Sequence, residues 1–278
     1  MEMEMETWTE TEKVSRIRVV VAGAAGRMGR QVLVAVSREP DMDLVGGVDI
    51  REGRVPIDPE RMDDVLEVTR DLASLITRVR PDVVVDFTHP AAVMGNVRTA
   101  LGMGVRCVVG TTGLGAKDMD EIERLCREKR IGAVVAPNFA IGAVLMMKFA
   151  EMASRYFHAA EIVELHHDRK LDAPSGTAIK TAQGMSQADQ ARTEAAAAAG
   201  CGEPLARGES VGGVRIHSVR LPGLVAHQEV IFGGPGQVLT IRHDSISRES
   251  FMPGVILAVR RVAGLDHAVF GLERLLDL

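Results

Sequence analysis

The sequence predicts an α/β protein in two parts: a parallel, doubly wound sheet followed by a smaller α+β part whose sheet is mixed or antiparallel. Three observations carry this. A β-forming run at residues 16–23 flows into three glycines spaced three apart and then into a helical pattern. From there to residue 139, short apolar runs alternate with helical stretches, the pattern of βα units. Beyond residue 141 the texture changes, and three β-rich runs follow one another near the end of the chain.

The first run, RIRVVVAG, is apolar at consecutive positions from Val19 onward, as a strand buried on both faces requires. Gly23, Ala24, Ala25, Gly26, Arg27 and Met28 lead to Gly29, and a helix is expected through Val32, Leu33 and Val36. Strand, glycine turn and helix in that order make a Rossmann-like dinucleotide unit. The spacing here is Gly-x-x-Gly-x-x-Gly. Its physical demands are those of the commoner motif: a tight turn, close approach of backbone to a pyrophosphate, and close helix–sheet packing. Residues 44–48 form a second strand that ends at Asp49, about 20 residues past the last glycine, where an acid binds a ribose 2′-hydroxyl. That favours NADH; Arg51 close by would instead receive the 2′-phosphate of NADPH, and both cofactors stay open.

A loop is expected through Pro56 and Pro59. Helices are then expected at 72–79, 91–102 and 117–129, and strands at 83–86, 106–109 and 133–136. The three strands end in Phe87-Thr88, in Gly110-Thr111-Thr112 and in Ala136-Pro137-Asn138-Phe139. The carboxyl edge of an open parallel sheet is where ligands bind, so these loops are the expected walls around ribose and nicotinamide. A Met-rich helix follows at 142–156, with Leu145, Met146 and Met147 expected in the core. An alanine-rich piece spans 195–202. Strands are expected at 214–221, 225–232 and 238–243, and a helix at 248–262 with Pro253 in its first turn.

Residues 164–178 read ELHHDRKLDAPSGTA. The preceding run, 160–165, reads as a strand and the following one, from 177, as a helix. The charged piece is therefore a strand-to-helix loop, a common place for chemistry on a rigid frame. Ser175 is a suitable N-cap, and Gly176 lets a ligand approach the backbone. The amides near Gly176 and Thr177 sit at the positive end of a helix, a seat for a carboxylate or phosphate. Lys170 adds a full positive charge. Imidazole, ammonium and anion seat together point to acid–base chemistry on a small acidic molecule.

This stretch resembles the signature of the 4-hydroxy-tetrahydrodipicolinate (dihydrodipicolinate) reductase family, Glu-x-His-His-x-x-Lys-x-Asp-Ala-Pro-Ser-Gly-Thr-Ala, with every fixed position filled. Asp-Phe-Thr-x-Pro, Gly-Thr-Thr-Gly and Ala-Pro-Asn-Phe also resemble that family's cofactor loops, and Ala140 stands where the family often has Ser. The resemblance runs from about Arg16 to the C-terminus. It implies NADH- or NADPH-dependent reduction of a cyclic dicarboxylate in lysine and diaminopimelate biosynthesis. His166 would be the proton donor and Lys170 a second donor. His167, Ser175, Gly176 and Thr177 would hold the substrate. It further implies a tail that returns to the nucleotide domain, so that residues 16–139 and 248–278 form one domain and 140–247 a second, through whose sheet a homotetramer is joined. Adjacent strand residues point to opposite faces, so His166 and His167 can both meet a substrate only if the chain bends there.

Composition agrees with a globular protein of this kind. The chain has 278 residues, 46% hydrophobic and 26% charged, with a net charge of −5. Nothing in this balance suggests a nucleic-acid or membrane surface. Cys107, Cys126 and Cys201 are odd in number and widely spaced, which argues against a disulfide framework or a zinc site and fits a reducing cytoplasm. Residues 1–15 are acidic and read as a disordered extension. Rival readings are another two-domain Rossmann dehydrogenase for a small acid, and a nucleotide sensor without catalysis. A metal held by the two histidines lacks a third ligand at suitable spacing, so no metal is expected.

Overall fold

The structure is a computed structural model that describes residues 16–189 and 205–276. The first lobe opens with β1 (Ile17–Ala22), α1 (Arg27–Ser37), β2 (Met42–Val48), β3 (Gly53–Asp58), β4 (Arg61–Thr69), α2 (Leu72–Val79) and β5 (Val83–Asp86). It continues with α3 (Pro90–Gly102), β6 (Arg106–Val109), α4 (Ala116–Lys129) and β7 (Ala133–Val135). Next come α5 (Ile141–Ser154), β8 (Ala159–His166), α6 (Gly176–Ala188), β9 (Glu209–Val211), β10 (Val214–Arg220), β11 (Ala226–Gly234) and β12 (Gln237–Ser245). The chain closes with α7 (Met252–Val262) and β13 (Ala268–Phe270). The expectations for residues 1–15 and 195–202, and for Cys201, lie outside the described residues.

Among the described residues the strands form two sheets. The larger runs β13-β7-β6-β5-β1-β2-β4-β3 and is parallel except for β3. Side-chain alternation explains its two covered faces. Val19 and Val21 of β1 meet Val32, Leu33 and Val36 of α1 and Val255 and Val259 of α7. Val20 and Ala22 point the other way, toward Leu75 of α2, Val97 of α3 and Ile122 of α4. A strand apolar at every position is thus buried from both sides. The order reverses at β1, and the glycine turn follows β1 directly, so the turn lies at the switch point where such sheets bind ligands.

The smaller sheet runs β12-β11-β8-β10-β9 and is mixed, with β8 and β10 parallel and the other pairings antiparallel. One face carries α5 and α6 over a core that includes Ala150, Ile162, Met185, Ile216 and Phe232. The α/β class with a mixed second sheet is the one the sequence predicts.

Three local expectations need correction. The loop at Pro56 and Pro59 is a hairpin of β3 and β4 with Pro59 and Glu60 at its turn. Pro56 is tolerated more readily there because β3 is an edge strand with one neighbour. Leu145 and Met147, expected in the core beside buried Met146, are half-buried, and Met147 lines the cleft described below. The tail, read without a strand of its own, adds β13 beside β7.

Candidate active site

At the glycine turn the sequence meets three separate steric demands. Gly23 has φ +83°, a region L side chains rarely adopt, and a Cβ there would lie 2.4 Å from the Phe87 carbonyl oxygen. A Cβ on Gly29 would lie 2.0 Å from the Gly23 carbonyl oxygen, so only glycine lets α1 pack on the turn. Gly26 is the N-cap of α1, with no side-chain cap and no acid in the first turn. The first turn of α1 therefore brings no negative charge of its own to the amides that would meet a pyrophosphate. Asp49 stands beside it: Oδ2 accepts from the Ala25 amide at 3.0 Å and Oδ1 from the Arg51 amide at 3.1 Å. These residues fit a dinucleotide, the pyrophosphate on the α1 terminus and the ribose diol within the carboxylate's remaining acceptor capacity.

The loops after β5 and β6 are fastened by one buried carboxylate. Asp86 is 1% exposed. Its Oδ1 accepts from the hydroxyls of Thr88 and Thr111, both at 2.7 Å, and Oδ2 from Asn96 at 2.7 Å. The Thr111 hydroxyl also accepts from the Thr88 amide at 2.7 Å. Both threonine hydroxyls are thus engaged within the protein. A Cβ on Gly110 would strike the Phe87 ring, which itself packs on Phe139 with ring centroids 5.8 Å apart. Ala136 and Phe139 are core side chains and offer a ligand only backbone. Thr112, Pro137 and Asn138 reach the open cleft.

Across that cleft lies the loop between β8 and α6. Ser175 is the N-cap of α6 and its hydroxyl accepts from the Ala178 amide at 3.2 Å. A Cβ at Gly176 would meet nothing within 4 Å, and φ there is not in the left-handed region, so neither packing nor backbone conformation demands this glycine. It leaves open space over the helix terminus. Lys170 lies in the cleft and makes a forked contact with Asp172, at 2.8 and 2.7 Å, which holds the Asp172 carboxyl below its ordinary range.

His166 ends β8 and lines the cleft, and its Nδ1 lies 2.5 Å from Oε2 of Glu164. Glu164 is fully buried. Arg220 on β10 meets both its oxygens, Nη1 to Oε2 at 2.9 Å and Nη2 to Oε1 at 2.7 Å, and Oε1 also accepts from the Ser175 amide at 3.2 Å. Burial opposes ionisation of Glu164, but hydrogen bonds from His166, Arg220 and Ser218 outweigh it and hold the carboxyl at about 2. His167 lies just past the end of β8; it is not among the residues that line this cleft, and its Nδ1 is buried without a hydrogen-bond partner among the described residues.

The result is one cleft of about 830 Å³ that brings Thr112, Pro137 and Asn138 together with His166, Lys170, Ser175, Gly176 and Thr177. Glu164, Arg220, Asp172, Lys180 and Glu273 were not among the expected site residues. Glu164 had a legible signal, since it shares a strand face with His166 two residues on. Lys180 on α6 and Glu273 beyond β13 meet across the cleft at 3.2 Å, a pairing over 93 residues that no local pattern reveals.

A Rossmann-type sheet with a glycine turn at its switch point, facing an acid–base loop on a second lobe, defines a nicotinamide-dependent oxidoreductase. The comparisons with known proteins are specific. The family model described as dihydrodipicolinate reductase, N-terminus, matches residues 17–139, and that described as dihydrodipicolinate reductase, C-terminus, matches residues 142–276. The chain belongs to the dihydrodipicolinate reductase family. It is 50% identical over 272 residues to the 4-hydroxy-tetrahydrodipicolinate reductase of Moorella thermoacetica, covering 95% of this chain and 99% of that one. It is 47% identical to the Bacillus subtilis protein of the same name, covering 94% and 98%. A dipicolinate-bound dihydrodipicolinate reductase from Paenisporosarcina sp. TG-14 is similar in structure, with a TM-score of 0.80 and 42% identity over 94% of this chain and 100% of that one.

Proposed function

We propose that the protein reduces 4-hydroxy-tetrahydrodipicolinate, by way of dihydrodipicolinate, to tetrahydrodipicolinate in lysine and diaminopimelate biosynthesis. The observation that carries this is the single cleft in which the nucleotide-lobe loops face His166, Lys170 and the α6 terminus. NADH or NADPH, when bound, supplies a hydride to a ring carbon conjugated with the imine. Charge that builds on the neighbouring carbon and nitrogen then needs one proton, and His166 gives it. An imidazole suits this because its ordinary pKa lies near neutrality. Lys170 exchanges its contact with Asp172 for a substrate carboxylate and assists the protonation. Ser175, Gly176 and Thr177 seat a carboxylate on the α6 terminus through backbone amides, where the space over Gly176 admits it. His167, which stands off the cleft, is left out of this assignment.

On the other side, Gly23 through Met28 hold the pyrophosphate, Asp49 or Arg51 the adenosine ribose, and the backbone of 87–88, 110–112 and 136–139 the remaining walls. We further assign the protein to the cytoplasm as a homotetramer. The two described cysteines are buried free thiols: burial carries Cys107 well above its ordinary range and pushes Cys126 up to about 12, which suits a reducing compartment. Edge strand β12 exposes Val238 at 70% and also leaves Leu239 open, an apolar surface suited to contact between copies. No helix among the described residues is long and apolar enough to cross a membrane.

The test is a coupled assay with freshly made substrate, run with NADH and with NADPH against a panel of small acids. Oxidation of the cofactor with the dihydrodipicolinate precursor and not with the other acids supports the reading. Turnover of a different acid in its place rejects it.

A further inference from the structure

We infer that Glu164 is a positioning residue that sets the proton donor and the carboxylate seat in one frame, with Arg220 as its counter-ion. The inference rests on the reading above and adds to it a residue that never touches the substrate.

A carboxylate with no exposure is expensive to bury unless it is paired and fully hydrogen-bonded. Glu164 meets both conditions, and the distribution of its partners is informative. Oε2 faces His166 Nδ1 at 2.5 Å and Arg220 Nη1 at 2.9 Å; Oε1 faces the Ser175 amide at 3.2 Å and Arg220 Nη2 at 2.7 Å. Each oxygen therefore holds one functional half of the site and one arm of the same guanidinium. Arg220 Nη2 also donates to the Asp172 carbonyl at 2.7 Å, which ties down the loop that carries Lys170.

Two consequences follow for the chemistry. An acceptor at Nδ1 fixes the proton of the neutral ring there, so Nε2 is the nitrogen left for the cleft and for proton transfer. A fixed Ser175 amide sets where α6 starts, and hence where the Gly176 and Thr177 amides point. One buried carboxylate thus fixes the relative placement of donor and seat. Glutamine cannot replace it, because all its neighbours are donors and one end of an amide is a donor too.

The test combines Glu164→Gln with Arg220→Lys, each checked for folding by circular dichroism. Ring nitrogen shifts of ¹⁵N-histidine protein are read at a pH where the imidazoles are neutral, with His166 assigned by its loss in His166→Gln. The wild type is expected to hold His166 as the Nδ1–H tautomer. Glu164→Gln is expected to mix the tautomers, lower kcat about 10²-fold, and raise KM through the loosened Ser175 amide. Arg220→Lys keeps the charge but loses the fork. It is expected to raise KM with the tautomer unchanged, and it tests the idea even if Glu164→Gln does not fold. An Nε2–H tautomer in the wild type overturns the proposal, as does a Glu164→Gln enzyme with unmoved tautomer and kcat. These spectra need no turnover, so a wild type that shows the Nδ1–H tautomer but does not reduce the substrate overturns the functional reading instead.

Discussion

Asp49 shows how one side chain can serve fold and ligand together. Its carboxylate already accepts from the Ala25 and Arg51 amides, which holds the glycine turn against the end of β2. If it also takes the ribose 2′-hydroxyl, Asp49→Ala weakens NADH by about tenfold, the scale of a hydrogen bond to a charged group, and NADPH by less. Equal losses with both cofactors would leave it only the structural role. Glu164 governs acid stability. Its folded value of about 2 lies below the ordinary 4.5, so its contribution is fully present above about pH 4.5 and is lost as pH falls toward about 2. That contribution is on the order of 3 kcal/mol. Urea midpoints of the wild type therefore fall steeply below about pH 4.5, and those of Glu164→Gln fall less over the same range. Parallel curves would mean that Glu164 ionises alike in both states. That His166, Lys170 and Ser175–Thr177 share one cleft was legible because they are close in sequence. Arg220 was harder to read: nothing local shows that a guanidinium 56 residues away covers Glu164.

Elements were legible where a period or a cap marks them. Helix α2 and strands β5 and β6 were read with the bounds observed, since Asp71 caps the first with its side chain on the Ser74 amide and each strand is three apolar residues beside one charged one. The hairpin of β3 and β4 was missed because two prolines mask a strand that has only one neighbour to satisfy. Strands β9 and β13, three residues each, are too short to show an alternation. Ala140 bears on the stability of a helix start. It is the N-cap of α5, with φ −73° and ψ 103°, and no side chain caps that helix. The serine common in the resembling family would supply an N-cap acceptor there. Ala140→Ser is accordingly expected to stabilise the protein by about 1 kcal/mol, a rise in Tm of about 2–4 °C by calorimetry. A fall in Tm would mean that the buried hydroxyl finds no amide to accept from.

At the scale of the whole molecule, function depends on two lobes meeting. The sequence showed each lobe through its own periodicity, but not how they face each other. Contacts such as Lys180 with Glu273 are set by packing across the cleft, and no local pattern encodes them. On the proposed mechanism His166, offered from one lobe, protonates what is reduced at the other. The most direct measurement is single-turnover oxidation of pre-bound reduced cofactor by freshly made substrate, compared between wild type and His166→Gln. The variant is expected to fold and bind cofactor as the wild type does, while its chemical step slows by roughly 10²–10⁴-fold. A variant that oxidises the cofactor at the wild-type rate would contradict that mechanism.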